Sequence, residues 1–262
     1  MTVERNPRQL MGSLLPPLVF GLGFLALWQL WVVAYDIKPF IIPRPTEIWR
    51  SFIDDFDLVR AASVVTGTNA LVGLVCGSVL GFVLAVLTNR FALVAELINP
   101  LAVTIAAIPA VVIVGVLNNM YALDSQIGRR IMVTLAVFFI VFVQVAKGLR
   151  QNDATQMELM RSYAATPRQT LLKVRLPNTL PFFFTAIRNA APVAVIIALV
   201  SEYFGGTQNG LGSKISGTLN GSNKALGFAY VVGGSIVGLL FFAGSSLLEY
   251  VAVPWRRRRR SR

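Results

Sequence analysis

Histidine is absent from this 262-residue chain, and cysteine occurs once, as Cys76 within an apolar stretch. The twelve Asp and Glu residues form no catalytic cluster. A catalytic metal site, a disulfide framework and histidine acid–base chemistry therefore lack their residues. The glycine-rich stretch GGTQNGLGSKIS that starts at Gly205 lacks the G-K-[ST] ending of a phosphate loop, so it reads as a re-entry loop rather than an ATP site. No unit of roughly 20 to 50 residues repeats along the chain, which excludes a solenoid. No active site can be assembled, and the chain is expected to be no enzyme and to carry no cofactor or metal.

Apolar residues are abundant. They make up 55% of the chain against 14% charged residues, which places it among integral membrane proteins with a single transmembrane domain. A helix crosses the hydrocarbon core with about 20 mostly apolar residues. By that measure six spans are expected, Leu14 to Tyr35, Ala61 to Leu87, Leu97 to Leu117, Ile131 to Ala146, Pro181 to Phe204 and Leu226 to Val253, giving an all-α fold. The fourth is short, and Arg130 and Lys147 can snorkel from its ends.

The net charge of +12 follows topology rather than nucleic-acid binding, because the basic residues gather at the ends of apolar runs. One side collects Arg5, Arg8, Arg90, the basic residues from Lys147 to Arg175 and the arginines of the tail 254–262. The other dilutes Lys38, Arg44, Arg50, Arg60, Arg129, Arg130, Lys214 and Lys224 with Asp36, Glu47, Asp54, Asp55, Asp57 and Asp124. The first side is expected to be cytoplasmic, with both termini there. The first span is expected to be a retained helix rather than a cleaved signal, with Pro16 and Pro17 in its first turn.

Between the first two spans, the run EIWRSFIDDF places Trp49, Phe52 and Phe56 on one aromatic face, the pattern of an interfacial helix. Glycine rows, Gly73-x-x-x-Gly77-x-x-x-Gly81 and Gly234-x-x-x-Gly238, allow close helix approach either within the bundle or between subunits. Pro100 and Pro109 bend the third span. Arg188 is the strong charge placed inside a span, and Glu249 is its candidate partner in an intramembrane ion pair. Glu202, on the same helix, lies roughly 20 Å from Arg188 and is excluded as that partner.

A polar, basic insert over residues 151–178 separates the fourth and fifth spans. Asp153 and Gln156 can cap a first short helix, and Thr166-Pro167 forms an N-cap and N1 pair for a second. The resulting helix-turn-helix offers Met157, Leu159, Met160 and Tyr163 as an apolar knob for a groove in a partner. The insert resembles the EAA loop of permease subunits of ATP-binding-cassette (ABC) importers. Glu158 stands at the acidic position, Leu159 and Met160 where that family has alanines, Ala164 at its glycine, Val174 at its isoleucine, and Leu176-Pro177 closes the pattern. With alanine at the glycine position, a relaxed turn is expected there.

The resemblance covers about Pro43 to Val253 and is most like the nitrate, sulfonate, taurine and pyrimidine-precursor branch of the MetI-like family. It implies a type I importer permease with a cytoplasmic coupling helix-turn-helix, in a bacterial cell membrane. It also implies a second permease copy, two cytoplasmic ATP-binding subunits and an extracytoplasmic solute-binding protein. Glu158, Leu159, Met160, Tyr163, Ala164, Leu176 and Pro177 are the coupling residues so implied. The competing class is an ATP-independent secondary transporter or channel, in which the insert has no task.

Overall fold

The computed structural model describes residues 7–121, 125–151, 153–205 and 209–254. Arg5, Asp124 and the arginines from Arg256 onward lie outside the described residues. The described chain is almost wholly helical. In order come α1 (Pro7–Ala34), α2 (Pro45–Asp54), α3 (Phe56–Arg90), α4 (Ala92–Ala107), α5 (Ala110–Met120) and α6 (Ile127–Arg150). After α6 follow α7 (Ala154–Ser162), α8 (Pro167–Thr170), a π turn (Leu171–Arg175), α9 (Leu176–Tyr203), α10 (Leu211–Leu219) and α11 (Lys224–Ala252).

Among the described residues, five helical stretches are long and apolar enough to cross a membrane: Leu15–Ala34, Phe56–Arg90, Ile127–Arg150, Pro167–Tyr203 and Lys224–Ala252. The expected third span is carried by two helices. Pro109 cannot donate a backbone hydrogen bond, and the chain breaks at Ile108-Pro109 between α4 and α5. With 16 residues, α4 reaches only about 24 Å, short of the hydrocarbon thickness. Pro16 and Pro17 do not occupy a first turn either. They sit inside α1, which begins at Pro7.

Small residues set the packing. Along α6, Val133, Val137, Val141 and Val145 recur every fourth residue and are fully buried, and the first three face the glycine row of α3. A Cβ added at Gly77 would stand 2.7 Å from the Thr134 carbonyl oxygen, and one at Gly81 would stand 2.8 Å from the Phe138 carbonyl oxygen. The row therefore serves the contact of α3 with α6 within this chain. On α9, Ala186, Ala190, Ala194 and Ala198 repeat the same spacing and are also fully buried. Close approach of backbones is what small residues provide where lipid removes the hydrophobic drive between helices. Gly238 and Gly244 of α11, in contrast, face open space.

Pro45 and the bond that Arg44 N–H donates to Glu47 Oε2, at 2.9 Å, start α2. Its Ile48 and Phe52 are buried, while Trp49 stays exposed and stacks on Phe52 with ring centroids 5.7 Å apart. Phe56 belongs to the next helix and meets Phe52 edge-on at 5.9 Å. The amphipathic helix is thus partly docked on the bundle, leaving one aromatic edge outward. α1 is exposed along most of its length, with Val32 buried and Trp28 in edge contact with Phe228 at 5.9 Å.

Candidate functional site: the insert and the two ends of α9

The insert folds as two short helices joined by a tight turn. Asp153 caps α7 through its carboxylate, which accepts from Thr155 N–H at 3.0 Å. Gln156 takes no part in that cap. Its Oε1 accepts from Asn178 Nδ2 at 2.7 Å and ties α7 to the first turn of α9.

The turn is not relaxed. Ala164 adopts φ 47°, the left-handed conformation that favours glycine. Ala165 N–H donates to Met160 O and Ala164 N–H to Arg161 O, each at 2.9 Å. These are the two bonds of a Schellman closure, with Ala164 in the position usually filled by glycine. They outweigh the penalty on one Cβ and keep the turn sharp.

Thr166 then restarts the chain. Gln169 N–H donates to Thr166 Oγ1 at 3.3 Å, and Thr166 N–H donates to Gln169 Oε1 at 2.8 Å, so the capping box is complete and Pro167 fills the first helical position. A π turn joins α8 to α9, and Arg175 Nη1 on it donates to Asn89 Oδ1 near the end of α3 at 3.1 Å. Glu158, Leu159, Tyr163, Ala164 and Pro177 are exposed, while Met157, Met160 and Leu176 are half-buried. Leu159 and Tyr163 leave 54% and 76% of their surfaces open, so the two larger apolar groups of the knob point outward.

Deeper in the bundle, Arg188 Nη1 of α9 lies 2.8 Å from Glu249 Oε2 of α11. Thr185 Oγ1 donates to the other carboxylate oxygen of Glu249 at 2.8 Å.

At the opposite end of α9 stands a polar cluster that sequence reading passed over. Glu202 is fully buried. Its Oε2 accepts from Thr66 Oγ1 at 2.7 Å and from Gly212 N–H at 3.1 Å, and its Oε1 accepts from Asn69 Nδ2 at 3.2 Å. Asn69 also donates to Gln126 Oε1 at 2.8 Å and accepts from Arg130 Nε at 3.2 Å. Arg129, 2% exposed, donates to the carbonyls of Ser125 and Gly205 at 2.9 and 3.2 Å. The sequence places Arg129 and Arg130 among the basic residues of one membrane face, with Arg130 also snorkelling from the end of a short span. Their buried partners are distant in sequence, and the one local hint was a carboxylate near the end of an apolar run. Among the other polar residues of the spans, Thr104 and Asn189 are exposed and Gln144 is half-buried.

A family model described as binding-protein-dependent transport system inner membrane component matches residues 77–258. The formylaminopyrimidine transport permease protein ThiX of Halalkalibacterium halodurans is 30% identical over 93% of this chain and 97% of its own length. A putative aliphatic sulfonates transport permease protein, SsuC of Bacillus subtilis, is 24% identical over 94% of the chain and 87% of its own length. Among solved structures, an amino acid ABC transporter with histidines aligns at a TM-score of 0.64 and 14% identity, over 76% of this chain and 96% of that one. The MetNI methionine ABC transporter in inward-facing conformations aligns at 0.59 and 17%, over 74% and 94%. The two structures share the fold of type I importer permeases. Helices, insert and relatives agree that the chain belongs to the family of binding-protein-dependent transport system inner membrane components, the permease subunits of ABC importers.

Proposed function

We propose that the insert couples this permease to ATP hydrolysis on a separate cytoplasmic ATPase subunit. Two copies of the permease pair, each seats its insert in one ATPase, and a solute-binding protein delivers the solute from the far side. The observation that carries this reading is the shape of the insert. It projects Glu158, Leu159 and Tyr163 outward, yet it is braced to the bundle through Gln156–Asn178 and Arg175–Asn89. A projecting apolar knob on a rigid mount suits a helix-in-groove contact that must transmit motion.

In this reading the insert and both termini face the cytoplasm, α4 and α5 together make the third of six crossings, and the protein sits in a bacterial cell membrane. The solute is small, of the pyrimidine or aromatic-heterocycle kind, with sulfonates and nitrate-like anions as the neighbouring classes. The relatives support that range, one being named for formylaminopyrimidine and another for aliphatic sulfonates.

Reconstitution of the permease with its ATPase and binding protein in liposomes tests the coupling. A Glu158→Lys, Tyr163→Ala double variant is expected to insert normally and lose ATP-driven uptake. Full ATP-coupled uptake by that variant would overturn the reading. A ligand thermal-shift screen of the cognate binding protein, run with heterocycles, sulfonates and small anions, assigns the solute class.

A further inference from the structure

α9 spans 28 residues, so its two ends are about 40 Å apart. One end grows out of the insert. The other ends in Glu202, whose surroundings are built around its carboxylate. Gly210 precedes α10, and a Cβ there would overlap the Glu202 carboxylate. A Cβ at Gly212 would overlap the Leu199 carbonyl oxygen. The first turn of α10 thus presses directly on the last turn of α9. No side chain of α10 caps its own N-terminus. Gly212 N–H instead reaches Glu202 Oε2, and Leu211 N–H reaches Thr66 Oγ1 at 2.8 Å, whose hydroxyl in turn donates to that same Glu202 oxygen. Ser213 Oγ adds a bond to the Glu202 carbonyl at 3.0 Å. A negative charge at a helix N-terminus complements the unsatisfied amides and the helix dipole.

We propose that Glu202 is a positioning residue for transport, which seats α10 on α9 and α3 by capping the N-terminus of α10 from a neighbouring helix. A displacement of α9 that begins at the insert then reaches α10 at the far end without slack. Asn69 extends the same grip to α6 through Gln126 and Arg130. Among the described residues, those that bond to the carboxylate or extend its network lie on α3, on α10 and at the start of α6, so the grip joins α3, α6, α9 and α10 as one unit.

The test uses the full chain in proteoliposomes with its ATPase and binding protein, in a Cys76→Ala background. Ser213→Cys reports on the α10 seat, because Ser213 is buried and thiol replaces hydroxyl with little change in size. Gly217→Cys is the exposed control, since a Cβ there meets nothing within 4 Å. Adding Glu202→Ala is expected to speed maleimide labelling at position 213 by about tenfold or more, since a single buried hydrogen bond to a carboxylate is worth about that factor, with no change at position 217. ATP-driven uptake is expected to fall by a similar factor.

Glu202→Gln keeps an oxygen for Thr66 and Gly212 and should restore most of the protection. Unchanged labelling at position 213, full uptake by Glu202→Ala, or a Glu202→Gln variant as open as Glu202→Ala would each overturn the proposal. If Glu202→Ala does not accumulate in the membrane, Thr66→Val is read in its place. It removes the hydroxyl between Leu211 and the carboxylate, and unchanged labelling there overturns the proposal equally. The labelling needs only the permease and stands apart from the ATPase-coupled reading. The uptake arm rests on that reading.

Discussion

Arg188 and Glu249 face each other across α9 and α11 at 2.8 Å, twelve residues along α9 from its start at Leu176. The carboxylate is the more buried partner, with 11% of its side chain exposed against 38% for the guanidinium. Removing Arg188 therefore takes from Glu249 its ion-pair partner, while the Thr185 hydroxyl still donates to the carboxylate. Partial exposure of Arg188 moderates the cost, so Arg188→Ala is expected to destabilise the purified protein by about 2 kcal/mol. The Arg188→Ala, Glu249→Ala double variant should be damaged less than the sum of its singles, with a coupling of about 1 kcal/mol in a thermal-unfolding cycle. Strict additivity would show that the two groups do not support each other.

Ala164 in the left-handed region carries a strain that glycine would not. Ala164→Gly is expected to relieve about 0.5–1 kcal/mol, the net of lost Cβ strain and greater freedom in the unfolded chain. Ala164→Val should cost more than that, since a branched side chain fits the region worse still. Hydrogen exchange at the Ala165 amide, which closes the turn on Met160 O, measures the change directly. Slower exchange in the glycine variant is the expected result.

The insert was legible because its signals are local. A cap at Asp153, a Thr-Pro start at Thr166 and the closing Leu176-Pro177 all lie within one short stretch, and each element they specify is present. Its turn was misjudged at Ala164, where two backbone bonds that no residue type announces outweigh the preference of the side chain. The five long apolar helices were legible from hydropathy, but the gap between α4 and α5 depended on how the chain resolves Pro109, and α1 runs through Pro16 and Pro17 in spite of them. The Glu202 cluster was hidden for a different reason. Thr66, Asn69 and Arg129 come from helices 73 to 136 residues away in sequence and become partners only when the bundle closes.

The glycine row of α3 gives a contrast within one protein. Gly77→Ala would drive a Cβ to 2.7 Å from the Thr134 carbonyl, which is backbone and cannot swing aside, and it is expected to cost about 2–3 kcal/mol. Gly238→Ala on α11 meets nothing within 4 Å and should be neutral or slightly stabilising, because alanine favours the helix over glycine by about 1 kcal/mol. Thermal unfolding of the two variants in the same detergent makes the comparison. Equal destabilisation by both would mean that the row does not set the packing of α3 on α6.

Under the proposed coupling, the brace between Gln156 and Asn178 lets docking be tested apart from transmission. Gln156 lies on α7 with the exposed knob, and Asn178 lies in the first turn of α9, so their 2.7 Å bond joins the element proposed to dock to the helix proposed to carry its motion. Asn178→Ala leaves Leu159 and Tyr163 untouched, and the ATPase should still bind and hydrolyse ATP. What should fall is the transport obtained from each turnover, by roughly fivefold if one hydrogen bond worth about 1 kcal/mol holds the strut straight. Gln156→Ala should behave alike, and the double variant should be no worse than either single, because both remove the same bond. Uptake and hydrolysis measured together in liposomes give the ratio. A variant that lost ATPase binding instead would place Asn178 in the docking surface, and one with an unchanged ratio would show that motion reaches α9 through the π turn and Arg175 alone.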